Sequence, residues 1–184
     1  MKVLKIAAIV LFLLVAIPVL VLLACHLRPG EGDIIASVEI ARPRDQVWSW
    51  MTEPEKLTQW IGWLAAVESD STSPREGVGH REVWVMHNPD MPNAPMRIPA
   101  TFTGWDPPRS MSGRISVPEL FDGEFSYTVE DLGGRTRVSQ VSRWRYHGIS
   151  WLMEPLVTPE ARKKMVTDFG TLKAKAEAAP AAGS

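Results

Sequence analysis

Cysteine and runs of like charge are what this 184-residue sequence has least of. The single cysteine, Cys25, excludes an intrachain disulfide and any zinc site built from paired cysteines. The 20 basic and 21 acidic residues nearly cancel, and no segment carries a dense run of one sign. Because nucleic-acid-binding domains present a basic patch, we expect no nucleic-acid partner and a fold stabilised by packing alone.

Motifs of catalysis are missing as well. The four histidines, His26, His80, His87 and His147, show no metal-ligand spacing such as HExxH. There is no GxSxG motif, no glycine-rich phosphate loop and no cysteine and histidine pair that could act as nucleophile and base. The sequence therefore predicts no metal and no cofactor, and it favours a binding protein over an enzyme.

The amino terminus is strongly apolar. Residues 6–25 contain no charged side chain, and about 20 such residues allow a helix to cross about 30 Å of hydrocarbon. We therefore expect a membrane anchor at 1–27, a linker at 28–33 and, from the lysines that precede the run, a cytoplasmic amino terminus with the globular part outside the cytoplasm. As an alternative, residues 22–25, LLAC, resemble a bacterial lipobox, which would make the chain a lipoprotein anchored at Cys25.

The rest of the chain reads mostly as strands, in which apolar and polar residues alternate. Between the first two strands, Pro43 predicts the start of one short helix, and Thr52 with Glu55, a capping-box pattern, predicts the start of another. Short connections between the later strands favour an antiparallel meander. The predicted strands lie at 33–41, 63–69, 79–88, 96–105, 109–117, 124–131 and 136–146.

The carboxyl end changes to a helical period. Thr158 is predicted as the N-cap of a long amphipathic helix that has lysine and aspartate on its outer side and covers the sheet. Gly170 in its middle costs about 1 kcal/mol relative to alanine, which indicates a close approach of the sheet or a ligand. A disordered tail is expected at 179–184. The apolar stripe of this helix consists of Met165, Phe169, Leu172 and Ala176.

Four tryptophans crowd the two short helices. A large aromatic side chain buries about 150 to 250 Å², and helices this short are marginal without tertiary burial. We therefore expect these indoles to close one end of a cavity built for an apolar guest. They are Trp48, Trp50, Trp60 and Trp63.

This order of elements resembles the SRPBCC superfamily, the START-like and polyketide cyclase-dehydrase group. The resemblance covers residues 34–178 and depends on RPRDQVWSWMTEPEKLTQW at 42–60 and GGRTRVSQVS at 133–142. It implies an α+β helix-grip fold, in which a curved antiparallel sheet wraps a long carboxyl-terminal helix and a cavity between them takes hydrophobic ligands. Catalysis occurs only in some branches of the superfamily. A membrane-anchored version resembles many bacterial proteins of unassigned role.

Polar residues on the inward faces of the strands are candidates for ligand recognition. Gln140 and Ser142 share a face with Trp144, so they either bond within the protein or orient the polar end of a ligand, since an unsatisfied buried group costs about 1 to 3 kcal/mol. The remaining wall is apolar. The predicted ligand-binding residues are Trp84, Met86, Phe102, Tyr127, Gln140, Ser142, Trp144, Met165 and Phe169.

Three hypotheses of function follow. The first is membrane-tethered binding of a lipid-like or other small hydrophobic molecule, without chemistry. The second is a cyclase-, dehydratase- or hydrolase-like enzyme that uses Tyr127 or the pair His80 and Glu82, which lie two residues apart on one strand face; the alternative for this pair is a solvated strand end. The third is a protein-interaction module that presents Arg137, Arg143 and Arg145 to a partner.

Overall fold

The computed structural model describes residues 2–26, 33–87 and 94–180. The residues predicted as an anchor form a helix, α1 (Lys2–His26), which contacts the carboxyl-terminal part of the chain. Within the described residues, however, no helix combines the length and the apolar character that crossing a membrane requires. The predicted single-pass anchor, with a cytoplasmic amino terminus and an extracytoplasmic domain, is therefore wrong.

Three further predictions concern the parts of the chain on either side of the domain. The lipoprotein alternative depended on Cys25, which lies in the last turn of α1. Of the predicted linker at 28–33, residues 28–32 lie outside the described residues, and Asp33 already belongs to the first strand. Of the predicted tail at 179–184, residues 181–184 lie outside the described part of the chain.

Seven strands form one antiparallel sheet in the order β1-β7-β6-β5-β4-β3-β2. Strands β2 to β7 follow one another as neighbours, which confirms the predicted meander, and β1 joins the far edge by pairing with β7. The strands are β1 (Asp33–Ile40), β2 (Leu64–Ser69), β3 (Arg81–Met86), β4 (Met96–Asp106), β5 (Ser110–Val117), β6 (Phe121–Asp131) and β7 (Thr136–Tyr146).

The two short helices between β1 and β2 are α2 (Arg44–Thr52) and α3 (Pro54–Trp60). Pro43 was predicted to be the first residue of this helix. It is instead the N-cap of α2, so the helix begins one residue later, at Arg44. The predicted capping box is wrong, because the Thr52 hydroxyl donates to the Trp48 carbonyl one turn back and Pro54 begins the next helix. A serine or threonine inside a helix commonly bonds its side chain in this way.

The carboxyl-terminal helix is longer than predicted. A 3₁₀ helix (Gly148–Met153) leads directly into α4 (Glu154–Ala178), so Thr158 lies inside α4 and is not its N-cap. The 3₁₀ turn starts the helix early, so no side-chain cap is needed at Thr158. Gly170 is exposed, and a Cβ added there would meet nothing within 4 Å, so the predicted close approach is wrong.

The two faces of the sheet differ sharply. The inner face carries the hydrophobic core together with α2, α3 and the buried stripe of α4. The outer face is charged, and two arginines predicted to face a protein partner are paired within the chain. Arg137 contacts Glu39 at 2.7 Å, and Arg143 contacts Asp33 at 3.1 Å.

Candidate ligand cavity

A cavity of about 600 Å³ lies between the inner face of the sheet and helices α2, α3 and α4. Its wall contains every residue that the sequence analysis assigned to ligand binding, although whether these residues contact a ligand stays a prediction. Those on strands converge because each strand contributes alternate residues to its inner face, and those on α4 belong to its inward stripe. They are Trp84, Met86, Phe102, Tyr127, Gln140, Ser142, Trp144, Met165 and Phe169.

Three of the four tryptophans near α2 and α3 line the cavity, namely Trp48, Trp60 and Trp63. Trp50 does not belong to its wall. The Trp50 carbonyl accepts a hydrogen bond from Trp60 Nε1 at 2.9 Å, and the Trp50 ring lies 5.8 Å from the Lys56 ammonium. Trp50 therefore fixes the angle between the two short helices, which holds Trp60 in place.

The floor of the cavity is a set of aromatic rings in contact. Phe102 on β4 and Phe125 on β6 meet edge to face at 5.8 Å, although β5 lies between their strands. They meet because the β5 residue between them in the strand register is Gly113. A Cβ at Gly113 would lie 2.4 Å from Phe125 Cζ, so a side chain there would force the two rings apart.

Tyr127, Gln140 and Ser142 form a polar cluster on one part of the wall. Tyr127 on β6 lies opposite Gln140 on β7 in the strand register, and Gln140 Nε2 donates to Ser142 Oγ at 3.0 Å. The amide nitrogen thus bonds within the protein. Among the described residues, the Gln140 carbonyl oxygen and the Tyr127 hydroxyl have no hydrogen-bond partner, so both can bond to a bound molecule.

The Tyr127 hydroxyl keeps its proton at neutral pH. Burial raises the pKa of Tyr127, and the charge of Asp168 raises it further. A protonated phenol can both donate and accept a hydrogen bond. Tyr127 therefore offers a neutral contact to a bound molecule.

His80 and Glu82 on β3 form a second polar cluster and are only 5% and 7% exposed. The predicted alternative of a solvated strand end is therefore wrong. It fails because the turn before β3 folds back and places the Pro74 carbonyl 2.6 Å from His80 Nδ1. The imidazole also stacks on Phe102, with ring centroids 5.7 Å apart.

The hydrogen bonds of His80 and Glu82 indicate which of their atoms carry protons. A carbonyl can only accept, so His80 Nδ1 carries a proton that it donates to Pro74. His80 Nε2 lies 3.1 Å from Glu82 Oε1, and Glu82 Oε2 accepts a hydrogen bond from Trp84 Nε1 at 2.9 Å. One proton lies in the His80–Glu82 contact, where it makes either an ion pair or a neutral pair, and no polar atom of the two side chains is left unsatisfied.

Asp168 on α4 is a cavity residue that the sequence analysis missed. It was assigned to the outer side of the helix, but it is 7% exposed and lines the cavity. Its Oδ1 accepts a hydrogen bond from the Gly62 amide at 3.1 Å. The position could have been found, because Asp168 lies three residues after Met165 and four before Leu172, on the same helical stripe.

Burial raises the pKa of the Asp168 carboxyl, while the Gly62 amide and the charge of Lys164 oppose that rise. The carboxylate is thus held in surroundings that disfavour its charge. Among the described residues, its Oδ2 atom has no hydrogen-bond or ion-pair partner.

Comparison with known proteins agrees with this architecture. Residues 32–177 match the sequence profile of the polyketide cyclase / dehydrase and lipid transport family. The chain belongs to this family. The expected SRPBCC superfamily and its helix-grip fold are thereby confirmed, whereas the membrane-anchored subtype is not. Among curated proteins, no sequence matches the chain.

Solved structures show the same fold at low sequence identity. A Thermus thermophilus protein is 18% identical, with a TM-score of 0.65 over 81% of this chain and 99% of its own. An Arthrobacter aurescens protein is also 18% identical, with a TM-score of 0.63 over 82% and 88%. The di-domain ARO/CYC protein BexL of the BE-7585A biosynthetic pathway is 15% identical, with a TM-score of 0.61 over 79% and 46%.

Proposed function

We propose that this domain binds a small, largely apolar molecule in the cavity between its sheet and α4. The observation that carries the proposal is a volume of about 600 Å³ bounded by aromatic rings, since ligand pockets typically enclose about 300 to 1,000 Å³ and combine apolar walls with a few polar groups. The two polar clusters supply those groups. The family description, which names lipid transport and cyclase chemistry, is consistent with such a ligand.

The test is to identify what the protein retains and to block the space. The purified protein is denatured, and the released small molecules are identified by mass spectrometry. Met165→Trp places an indole in the cavity, because Met165 lines it. Val166→Trp is the matched control on the same helix, because Val166 is 59% exposed. We expect a retained molecule in wild type and V166W that is lost in M165W; retention by all three proteins would refute the proposal.

Acid–base chemistry on the bound molecule is a second candidate function, favoured by the buried His80–Glu82 pair. A proton shared between two side chains on a cavity wall can be passed to or taken from a ligand. If this occurs, the retained molecule should incorporate deuterium at carbon when it is incubated with the protein in D₂O. Glu82→Gln should abolish incorporation, whereas Asp45→Asn, at an exposed site on α2, should not. Unchanged incorporation in E82Q would remove this candidate.

A further inference from the structure

The charges that face the cavity are unbalanced in its buried part. Among the described residues, the cavity-lining acids and bases that are more than nine-tenths buried are His80, Glu82 and Asp168, beside the neutral Tyr127. His80 and Glu82 satisfy each other. That leaves Asp168, which accepts a hydrogen bond from the Gly62 amide but has no positively charged partner within 4 Å among the described residues.

The lysine and the arginine that line the cavity do not neutralise Asp168. Lys164 lies one helical turn away on α4 and lowers the Asp168 pKa through its charge, but it is exposed and makes no ion pair with Asp168 within 4 Å among the described residues. Arg75, which also lines the cavity, is exposed as well. Solvent and counterions screen the charge of an exposed, flexible side chain, so neither cation holds a fixed position beside Asp168.

The structural role of Asp168 uses only one of its two carboxylate oxygens. Oδ1 joins α4 to the turn after α3 through the Gly62 amide, and an asparagine would make the same hydrogen bond through its carbonyl oxygen. Oδ2 contributes nothing to that link. Oδ2 keeps contact with solvent, so a ligand that displaces the water there has to supply a partner for the charge.

Other groups on the wall of the cavity suit a cation. The Tyr127 hydroxyl and the Gln140 carbonyl oxygen, both without protein partners among the described residues, can accept hydrogen bonds from an ammonium group. Trp60 and Trp63 line the cavity on either side of Gly62 in the chain. Indole faces attract ammonium groups, and the attraction increases where water is excluded.

We propose that the ligand of this cavity is an apolar molecule carrying a positively charged amine, and that Asp168 is the residue that pairs with the amine. This inference rests on the proposed binding function and narrows its ligand class. An amine would give Oδ2 its missing partner and would favour the ionised carboxylate that burial disfavours. A carboxylate ligand would instead meet a second negative charge in a medium that screens it poorly.

The test uses the full chain and a neutral fluorescent probe, N-phenyl-1-naphthylamine, which reports occupation of apolar cavities. Three competitors of equal chain length then displace it at pH 7: octylamine, octanol and octanoate. We expect octylamine to compete about tenfold better than octanol, since the gain from charge pairing is reduced by the desolvation of both ions, and octanoate to compete worst.

Asp168→Asn isolates the charge, because it keeps the hydrogen bond to Gly62. In D168N the preference for octylamine over octanol should fall to about onefold. The control Asp45→Asn removes one negative charge at an exposed position and should keep the full preference. Equal displacement by octylamine and octanol in wild type, or an unchanged preference in D168N, would overturn the inference.

The same experiment separates this inference from the binding function on which it rests. If the probe does not bind wild type, or if it binds M165W equally well, the cavity is not a binding site and both proposals fail. If the probe binds wild type but not M165W, and octanoate is the best competitor, only the amine assignment fails.

Discussion

The two faces of the sheet are built from the same alternating strands, but their polar groups have opposite surroundings. On the outer face, cross-strand pairs such as Arg114 and Glu124 lie in solvent, with side chains 70% and 58% exposed. On the inner face, polar groups are few, and each has specific partners or faces the cavity. Exposed pairs contribute little to stability, whereas an unsatisfied buried group is costly. We therefore expect the residues that determine function to lie on the inner face.

Removing an aromatic ring from the inner side should cause the largest change in the free energy of unfolding. Phe169 on α4 is 2% exposed and packs against Trp60, with ring centroids 6.1 Å apart. Phe169→Ala should lower the free energy of unfolding by about 3 to 5 kcal/mol, because it removes buried apolar surface and leaves a void. Denaturant unfolding followed by tryptophan fluorescence measures the change. Val166→Ala, on the outside of the same helix, should change stability by less than about 0.5 kcal/mol; equal effects would show that α4 does not pack as described.

The buried His80–Glu82 pair gives the next largest effect. Glu82→Ala would leave Trp84 Nε1 and His80 Nε2 without their partner, at a cost of about 1 to 3 kcal/mol for a buried unsatisfied group. Glu82→Gln should cost clearly less, because the amide oxygen can accept from Trp84 while the amide nitrogen donates to a neutral His80. Unfolding free energies of the two variants test this order. If E82Q were as destabilising as E82A, the charge of Glu82 would be essential, and the contact would be an ion pair.

The contributions of a buried and a surface carboxyl group to the free energy of unfolding should change with pH in opposite directions. The Asp168 pKa is raised in the folded protein by burial, so the folded state binds more protons and this residue's contribution to stability falls as the pH rises above its ordinary value of 3.8. Asp70 on the surface has its pKa lowered to about 2 by hydrogen bonds from Thr72 and Arg81. Its contribution is present above pH 3.8 and is lost as the pH falls towards 2.

Unfolding measured between pH 2 and 7 for wild type, D168N and D70N checks these signs. Relative to D168N, wild type should lose stability as the pH rises from about 4, and relative to D70N it should lose stability as the pH falls below that value. If the stability differences between wild type and each of the two variants changed with pH in the same direction, the surroundings described for one of the two carboxyls would be wrong.

The same contrast explains what the sequence could predict. Strand β7 was predicted at 136–146 and is observed at Thr136–Tyr146, because alternating apolar and arginine residues mark both faces at once. The start of α4 was missed because the preceding 3₁₀ helix removes the need for a cap at Thr158. Asp168 was placed outside because the inward stripe was assigned from apolar residues alone, although its helical position is inward.

The arrangement of the cavity was harder to predict than its residues. The spacing of His80 and Glu82 predicted a shared strand face, but their burial depends on the turn that supplies the Pro74 carbonyl, and no periodicity specifies that turn. Trp50 could not be told from Trp48, because both lie on α2 and the difference arises from the angle at which α3 packs. A pocket lining and a solid core use the same side chains, so the empty volume itself could not be predicted.

The smallest effect is expected on the outer face. Arg97 on β4 and Glu68 on β2 form an ion pair across β3, and each side chain is 52% exposed. A double-mutant cycle of Arg97→Ala and Glu68→Ala should give a weak coupling that disappears in 1 M salt, because solvent and counterions screen exposed charges. A strong coupling that persists in 1 M salt would mean that the outer charges also determine the stability of the sheet. The division of roles between the two faces would then have to be abandoned.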